Sequence, residues 1–343
     1  SCLDAFPQGA ANDAVLCQAG TNDVTPRDIV NGSGGAGHWV PGPRLPPGYQ
    51  AGDANVMYFE DSDALFLVNL RNGAGGASGD VLVTHPLVGG QFSVASVVVN
   101  DVAGPFPVHY GFARVAGDYL AAGGVDGGGA VLGDLLSMYA MSPEELHVST
   151  YPAGLTGRSH ASFHLLDRPE APWRYLFAGG LDAGGAATSL VEWGDSQVFF
   201  NGTGSLDSFN LPAPRARHET VDLGDSSWLI GGEGAGGPAL ATVDRLLLNA
   251  DTTLTRVDGP PLAHARVGFT LTPLPDTEEI LVIGGRGDAD SPLSAEIIRI
   301  DGTAWQPAGR LAQGREAHSA TLLPDGRVVV IGGFSDGEAL ATT

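Results

Sequence analysis

A short apolar run that ends in paired glycine returns about every fifty residues along this chain, and nothing else in the sequence constrains its fold as much. The copies are YLAAGG to Gly124, YLFAGG to Gly180, WLIGG to Gly232, ILVIGG to Gly285 and VVVIGG to Gly333. Their first glycines stand at 123, 179, 231, 284 and 332, in steps of 56, 52, 53 and 48 residues. One period upstream, Ala64-Leu65-Phe66-Leu67-Val68-Asn69 keeps the hydrophobic body without the glycines, a sixth and degenerate copy. Tandem copies at such a period mark units that cannot bury their own apolar faces and must stack on one another.

A second marker keeps phase with the first: Leu211-x3-Arg215-x2-His218, Leu262-x3-Arg266-x2-Phe269 and Leu311-x3-Arg315-x2-His318, each 13 to 15 residues before its glycine pair. Further β-rich runs, Thr242 to Leu248 and Ser294 to Ile300, and a short one near Trp305, are separated by Gly, Asp and Pro. Each period therefore reads as four short antiparallel strands. Six such sheets set around an axis bury their faces and leave few free edges.

On these residues the chain resembles the Kelch family, whose repeat is about 50 residues and whose second strand ends in paired glycine. The resemblance covers roughly residues 38 to 343. It implies an all-β, Kelch-like β-propeller of six blades, each of four antiparallel strands; a longer natural chain would make room for a seventh. The aromatic residues usual in the third and fourth strands of such repeats occur only in places, as Trp193 and Trp305.

Ring closure needs its own account, because the last copy supplies two strands, Ala317 to Leu323 and Arg327 to Ile331. The stretch His38 to Leu45 (HWVPGPRL) matches the fourth-strand stretch Ala304 to Leu311 (AWQPAGRL), so N-terminal strands are expected to complete the last blade, with Ala14 to Gln18 as its third strand. Residues 1–37 read as an N-terminal extension closed by a disulfide between Cys2 and Cys17, the only cysteines, in an exported protein.

Because strands alternate in direction, the loop after each glycine pair and the entry to each first strand open on one face. That face collects Arg158, His160, Arg215, His218, Arg266, Arg315 and His318 near the axis, and Asp126, Asp182, Glu233, Asp288 and Asp336 farther out. One reading is a polar recognition surface. The other is structural: repeated Arg and carboxylate groups pin neighbouring blades, and loop Asp residues form turns. Calcium is the one cofactor with a handle here, since Asp61 and Asp63, and Asp288 and Asp290, space carboxylates two apart in loops, without a complete EF-hand pattern. Arg286-Gly287-Asp288 spells an adhesion tripeptide, a short motif expected by coincidence in so Gly- and Asp-rich a chain.

Charge excludes several partners. With 17 basic and 39 acidic side chains the chain carries a formal charge of −22, which repels nucleic acid and anionic lipid. Every basic residue is Arg, so Schiff-base chemistry and a P-loop lysine are absent. No apolar run reaches the roughly 18 residues of a membrane span. Some Kelch-like rings are copper-radical oxidases, but both cysteines here lie outside the repeats, and His160, His218 and His318 look periodic rather than convergent. No metal site and no catalytic residue is assigned. The expectation is a non-catalytic, exported protein, secreted, periplasmic or on the cell surface, that recognises a protein or glycan partner or serves as a permanent subunit of a surface assembly. A sialidase-like or sugar-isomerising propeller is the enzymatic alternative.

Overall fold

Short apolar runs broken by glycine and aspartate favour strands, and strands are what form. The computed structural model describes residues 118–142, 144–168, 171–195, 199, 206–223, 225–274, 277–322, 328–331 and 333–339; before them it describes 2–5, 12–18, 24–31, 49–50, 55–59, 64–68, 71–72, 80–84, 93–99, 107 and 110–115. Among these residues the extended elements gather, in chain order, into seven main sheets.

Sheet 1 has three antiparallel strands, Cys2–Ala5, Asn12–Gln18 and Val24–Asn31. Sheet 2 is Asn55–Phe59, Ala64–Val68, Leu82–Thr84 and Ser93–Val94. Sheet 3 is Gly111–Val115, Asp118–Ala122, Leu135–Ser142 and Glu145–Tyr151, with Ser96–Val99 added in parallel on its outer edge. Sheet 4 is Ser162–Arg168, Ala171–Ala178, Leu190–Gly194 and Asp207–Asn210. Sheet 5 is Glu219–Asp222, Ser226–Ile230, Val243–Leu248 and Leu254–Asp258. Sheet 6 is Thr270–Leu274, Glu279–Ile283, Ser294–Arg299 and Gln306–Arg310. Sheet 7 shows Ser319–Leu322 paired with Val328–Ile331.

Within sheets 4 to 6 the strands run antiparallel in sequence order. Ser226–Ile230 is buried throughout, whereas Gln306–Arg310 is exposed throughout. A strand covered on both faces reads as a continuous apolar run, which is why the repeat shows best in the second strand. First strands touch first strands: Gly111–Val115 lies against Ser162–Arg168, then Glu219–Asp222, Thr270–Leu274 and Ser319–Leu322 follow in turn. Cys2–Ala5 lies against both Ser319–Leu322 and Asn55–Phe59.

The hydrophobic core is a series of seams between sheets. Met57, Phe66, Tyr119 and Met138 fill the seam of sheets 2 and 3. Leu135, Phe163, Tyr175 and Phe177 fill that of 3 and 4, Trp193, Leu229 and Leu246 that of 4 and 5, and Trp228, Phe269 and Ile280 that of 5 and 6. Each single sheet would expose these side chains, so stacking is the folding unit.

The N-terminus departs from expectation. Asn12–Gln18 pairs with Cys2–Ala5 and Val24–Asn31, not with the last sheet, so Ala14 to Gln18 is no third strand of it. Local pairing closes short loops, which costs less chain entropy than pairing with the far end of the molecule. Register sets Cys2 opposite Cys17. The side chains of that pair, and the stretch His38 to Leu45, lie outside the described residues. Among the described residues no helix is long and apolar enough to cross a membrane.

Candidate functional site

The repeated arginines join the sheets. Arg215 donates its backbone N–H to Thr188 O and accepts from Gly180 N–H, both after the second strand of sheet 4. Its guanidinium turns into sheet 5, donating to Leu229 O and Gly231 O at 3.1 Å and to the Asp244 carboxylate. Arg158 repeats this one sheet earlier: backbone bonds to Leu132 O and Gly124 N–H, side chain to Gly179 O, Phe177 O and Glu192 at 2.7 Å. Arg266 repeats it one sheet later, with backbone bonds to Leu240 O and Gly232 N–H and side-chain bonds to Gly284 O, Ser294 and Glu296, the last at 2.5 Å. Arg315 makes the same backbone pair, to Pro292 O and from Gly285 N–H.

Arg158, Arg215 and Arg266 are buried, so these cations face the protein and not the solvent. Burial pulls the Arg158 guanidinium down to about 10, against the upward pull of Glu192, and it stays charged at neutral pH. Arg215 and Arg266 are lowered for the same reason, with Asp244 and Glu296 opposing. Sequence reading put the pairing carboxylates in the loops. They are instead Glu192, Asp244 and Glu296 on third strands, 13, 13 and 12 residues after the first glycine of each pair. An acid in the middle of an apolar strand, at a fixed distance from the glycines, was the available signal.

Each glycine of a pair answers a different neighbour. Gly231 has φ +58°, and a Cβ there would sit 2.9 Å from both Arg266 O and the Phe269 ring of the next sheet. Gly232 has φ +94°, and its Cβ would meet His218 of its own sheet at 2.8 Å. At the equivalent place in the seam of sheets 4 and 5 the ring over Gly179 is His218, and in that of sheets 6 and 7 the ring over Gly284 is His318. Both histidines are buried and do the packing of Phe269. His218 Nε2 lies 2.8 Å from Ser162 Oγ and His318 Nε2 lies 3.0 Å from Thr270 Oγ1. Burial, with Arg315 beside it, drops His318 to about 3, and burial, Arg215 and His164 hold His218 well below the ordinary value, so both rings are neutral. His160 is not their equivalent, being two residues after its arginine where they are three.

That offset marks a separate set. Two residues after each arginine the backbone turns left-handed, at His160 (φ 51°), Arg217 (50°), Gly268 (68°) and Ala317 (50°). Arg217 N–H donates to His160 O, and Ala317 N–H to Gly268 O. These residues surround an open cavity of about 520 Å³, completed by Ala161, His218, Glu219, Val267, Arg286 and Glu316. Arg217 is held by both Glu233 oxygens at 3.0 Å, and Arg286 by Glu316 at 3.0 Å. Glu219 differs: burial pushes its carboxyl up to about 7. It occupies the position of Ser162 and Thr270, whose hydroxyls meet His218 and His318, but the sheet after it offers Phe269.

The loop carboxylates are mostly turn formers. Asp126 Oδ1 accepts from Gly128 and Ala130 N–H, and Asp182 Oδ1 from Gly184 and Ala186 N–H. Asp336 is an exposed left-handed residue (φ 51°) in the hairpin Phe334–Ser335 with Glu338–Ala339. Asp288 is taken up by Ser291, by Asp290 N–H and by His264, and Asp290 by Arg310. No three His, Cys, Asp or Glu side chains gather for a metal ion among the described residues, and Asp61 and Asp63 lie outside them. The Arg286-Gly287 part of the adhesion tripeptide is a strand paired with Arg266–Val267, and Gly287 packs so tightly that a Cβ would meet Ala265 O at 1.9 Å.

No family model matches the chain. Among curated proteins it is similar to the tRNA wybutosine-synthesizing protein 4 of Saccharomyces cerevisiae, 35% identical over 77 residues, which is 22% of this chain and 11% of that protein. The chain therefore aligns with a small fraction of that relative. Among solved structures it is similar to one titled "Structure of YjhT", with a TM-score of 0.61 and 15% identity over 88% of this chain and 95% of that one. That neighbour is Kelch- or β-propeller-like, and the likeness is one of fold. This chain is thus an all-β protein of successive antiparallel sheets with a propeller-like neighbour.

Proposed function

We propose that the chain is a Kelch-type β-propeller and an exported binding protein that holds a glycan terminus, or a protein group of similar size, in its axial cavity. The serial contacts of first strands support the ring, with Cys2–Ala5 between the first strands of sheets 2 and 7, so that sheet 1 counts as a seventh blade in place of an extension. The observation that carries the function is the lining of the cavity. Repetition gives the seams of sheets 3 to 6 the same arginine staple, whereas His160, Arg217, Gly268 and Ala317 are unlike residues at one repeated position, as a site made by convergence requires. Its volume is that of a small-ligand site. Around the same face, rigidly held loops and the acidic surface suit recognition outside the cell.

The test is binding of the whole protein to an array of immobilised glycans, beside a variant with Arg217→Ala and Arg286→Ala. Binding that falls by about tenfold or more in the variant supports the reading, since hydrogen bonds to charged groups contribute about 1.5–3 kcal/mol. Absence of binding by the folded wild type, or equal binding by both, overturns it.

A further inference from the structure

The seam of sheets 4 and 5 carries polar groups that the repeat does not require. His164 Nδ1 lies 2.8 Å from Asp222 Oδ1 and His164 Nε2 lies 2.6 Å from Ser162 Oγ. Ser227 Oγ donates to Asp222 Oδ1 at 2.6 Å. Six residues after each arginine the other copies have Val221 and Thr272 where this one has His164. Seven after, they have Leu165 and Pro273 where this seam has Asp222, and four before the first glycine they have Tyr175 and Ile280 where it has Ser227. Three departures from the repeat thus meet at one place.

The protons can be assigned from the network. Asp222 accepts, so His164 donates from Nδ1, and the neutral tautomer this selects turns a bare Nε2 to the Ser162 hydroxyl. Burial alone would raise the Asp222 carboxyl, but the His164 ring and the Ser227 hydroxyl hold it below the ordinary range, so it is ionised. Ser162 spends its hydrogen on His164, and the neutral His218 donates from Nε2 to Ser162 Oγ. His164 is fully buried, Ser162 is partly exposed, and its neighbours Ala161 and His218 both line the axial cavity.

We propose that Ser162, His164 and Asp222 form a nucleophile relay, next to the cavity-lining Ala161 and His218, that removes an acyl group from a small ester. The activity goes beyond ligand binding and does not depend on which glycan the cavity holds. Ser162 Oγ bonds the ester carbonyl carbon while its proton passes to His164 Nε2. The neutral His218 N–H, freed from Oγ, is the nearby donor for the developing oxyanion. Collapse breaks the bond to the alkoxy group, which leaves as the alcohol with the proton from His164. Water then gives its proton to His164, adds to the acyl carbon and releases the acid, restoring Ser162. Asp222 is a positioning residue that keeps the His164 tautomer.

A fluorophosphonate probe on the whole protein, read by intact mass and peptide mapping, tests this. One adduct is expected, on Ser162, absent in Ser162→Ala, with Thr270 unlabelled because Thr272 stands where a base would be. Asp222→Asn alters a side chain that is 37% exposed, so the fold should survive. It is expected to lower the maximal labelling rate about 10³–10⁴-fold without changing the half-saturating probe concentration. A folded wild type that takes no label, label that persists in Ser162→Ala, or an Asp222→Asn rate within about threefold of wild type overturns the relay.

Discussion

The seams of sheets 4 and 5 and of sheets 5 and 6 are built on the same backbone and filled differently. Both have a buried arginine bonded forward to a third-strand carboxylate and backward to a glycine pair, Arg215 with Asp244 and Arg266 with Glu296. Yet one seam packs His218 where the other packs Phe269, and only the first holds His164, Asp222 and Ser227. The staple fixes where sheets meet, and side chains beside it are free to serve chemistry. That division is what lets a repeat protein stay regular in structure and irregular in function.

The largest expected effect tests the shared part. Arg266→Ala strands Glu296 without its partner in the core and should cost about 3–5 kcal/mol in denaturant unfolding. Arg215→Ala leaves Asp244 the bond from Arg256 Nε at 2.6 Å and should therefore cost less; an equal cost would mean that Arg256 does not compensate for the lost partner.

Next comes the unshared part. Glu219 has its pKa raised from 4.5 to about 7 by burial, so the native state holds its proton where the unfolded chain has lost it. Stability contributed by that proton is full below pH 4.5, declines as the pH rises to about 7 and is absent above. Glu219→Gln should therefore leave the melting temperature unchanged near pH 4 and raise stability at pH 8 by about 1–2 kcal/mol, discounted because the carboxyl borders an open cavity. Phe269→His supplies the imidazole found in the flanking seams and should flatten the same pH dependence.

The smallest effect belongs to the exposed loops. Asp182→Ala removes two bonds to loop N–H groups that water can replace, and should cost about 0.5–1 kcal/mol with no change in glycan binding. A change in binding would move the recognition surface outward from the cavity to the loops.

How far each feature was legible follows from its range. Paired glycines, their arginines and the strand order are set by spacing within one repeat, and Trp305 stands immediately before the fourth strand, Gln306–Arg310. Sheet 1 carries no glycine pair, so its strands give no periodic signal in the sequence. Glu192 is 34 residues from Arg158, and Asp222 is 58 from His164, and no local pattern ties either pair. Ser162 and His164, two apart on a strand, share a face by simple alternation, yet only the neighbouring sheet gives that face a carboxylate.

The sequence by itself determined that the chain is a series of small sheets, because period and paired glycine are local properties that backbone sterics translate directly into strands and sharp turns. Only the tertiary structure decided that the arginines point inward, that unlike residues meet at the left-handed positions, and that one seam joins a serine, a histidine and a carboxylate. Those facts depend on which side chains two stacked sheets bring within about 3 Å of each other, a distance that positions along a chain do not encode.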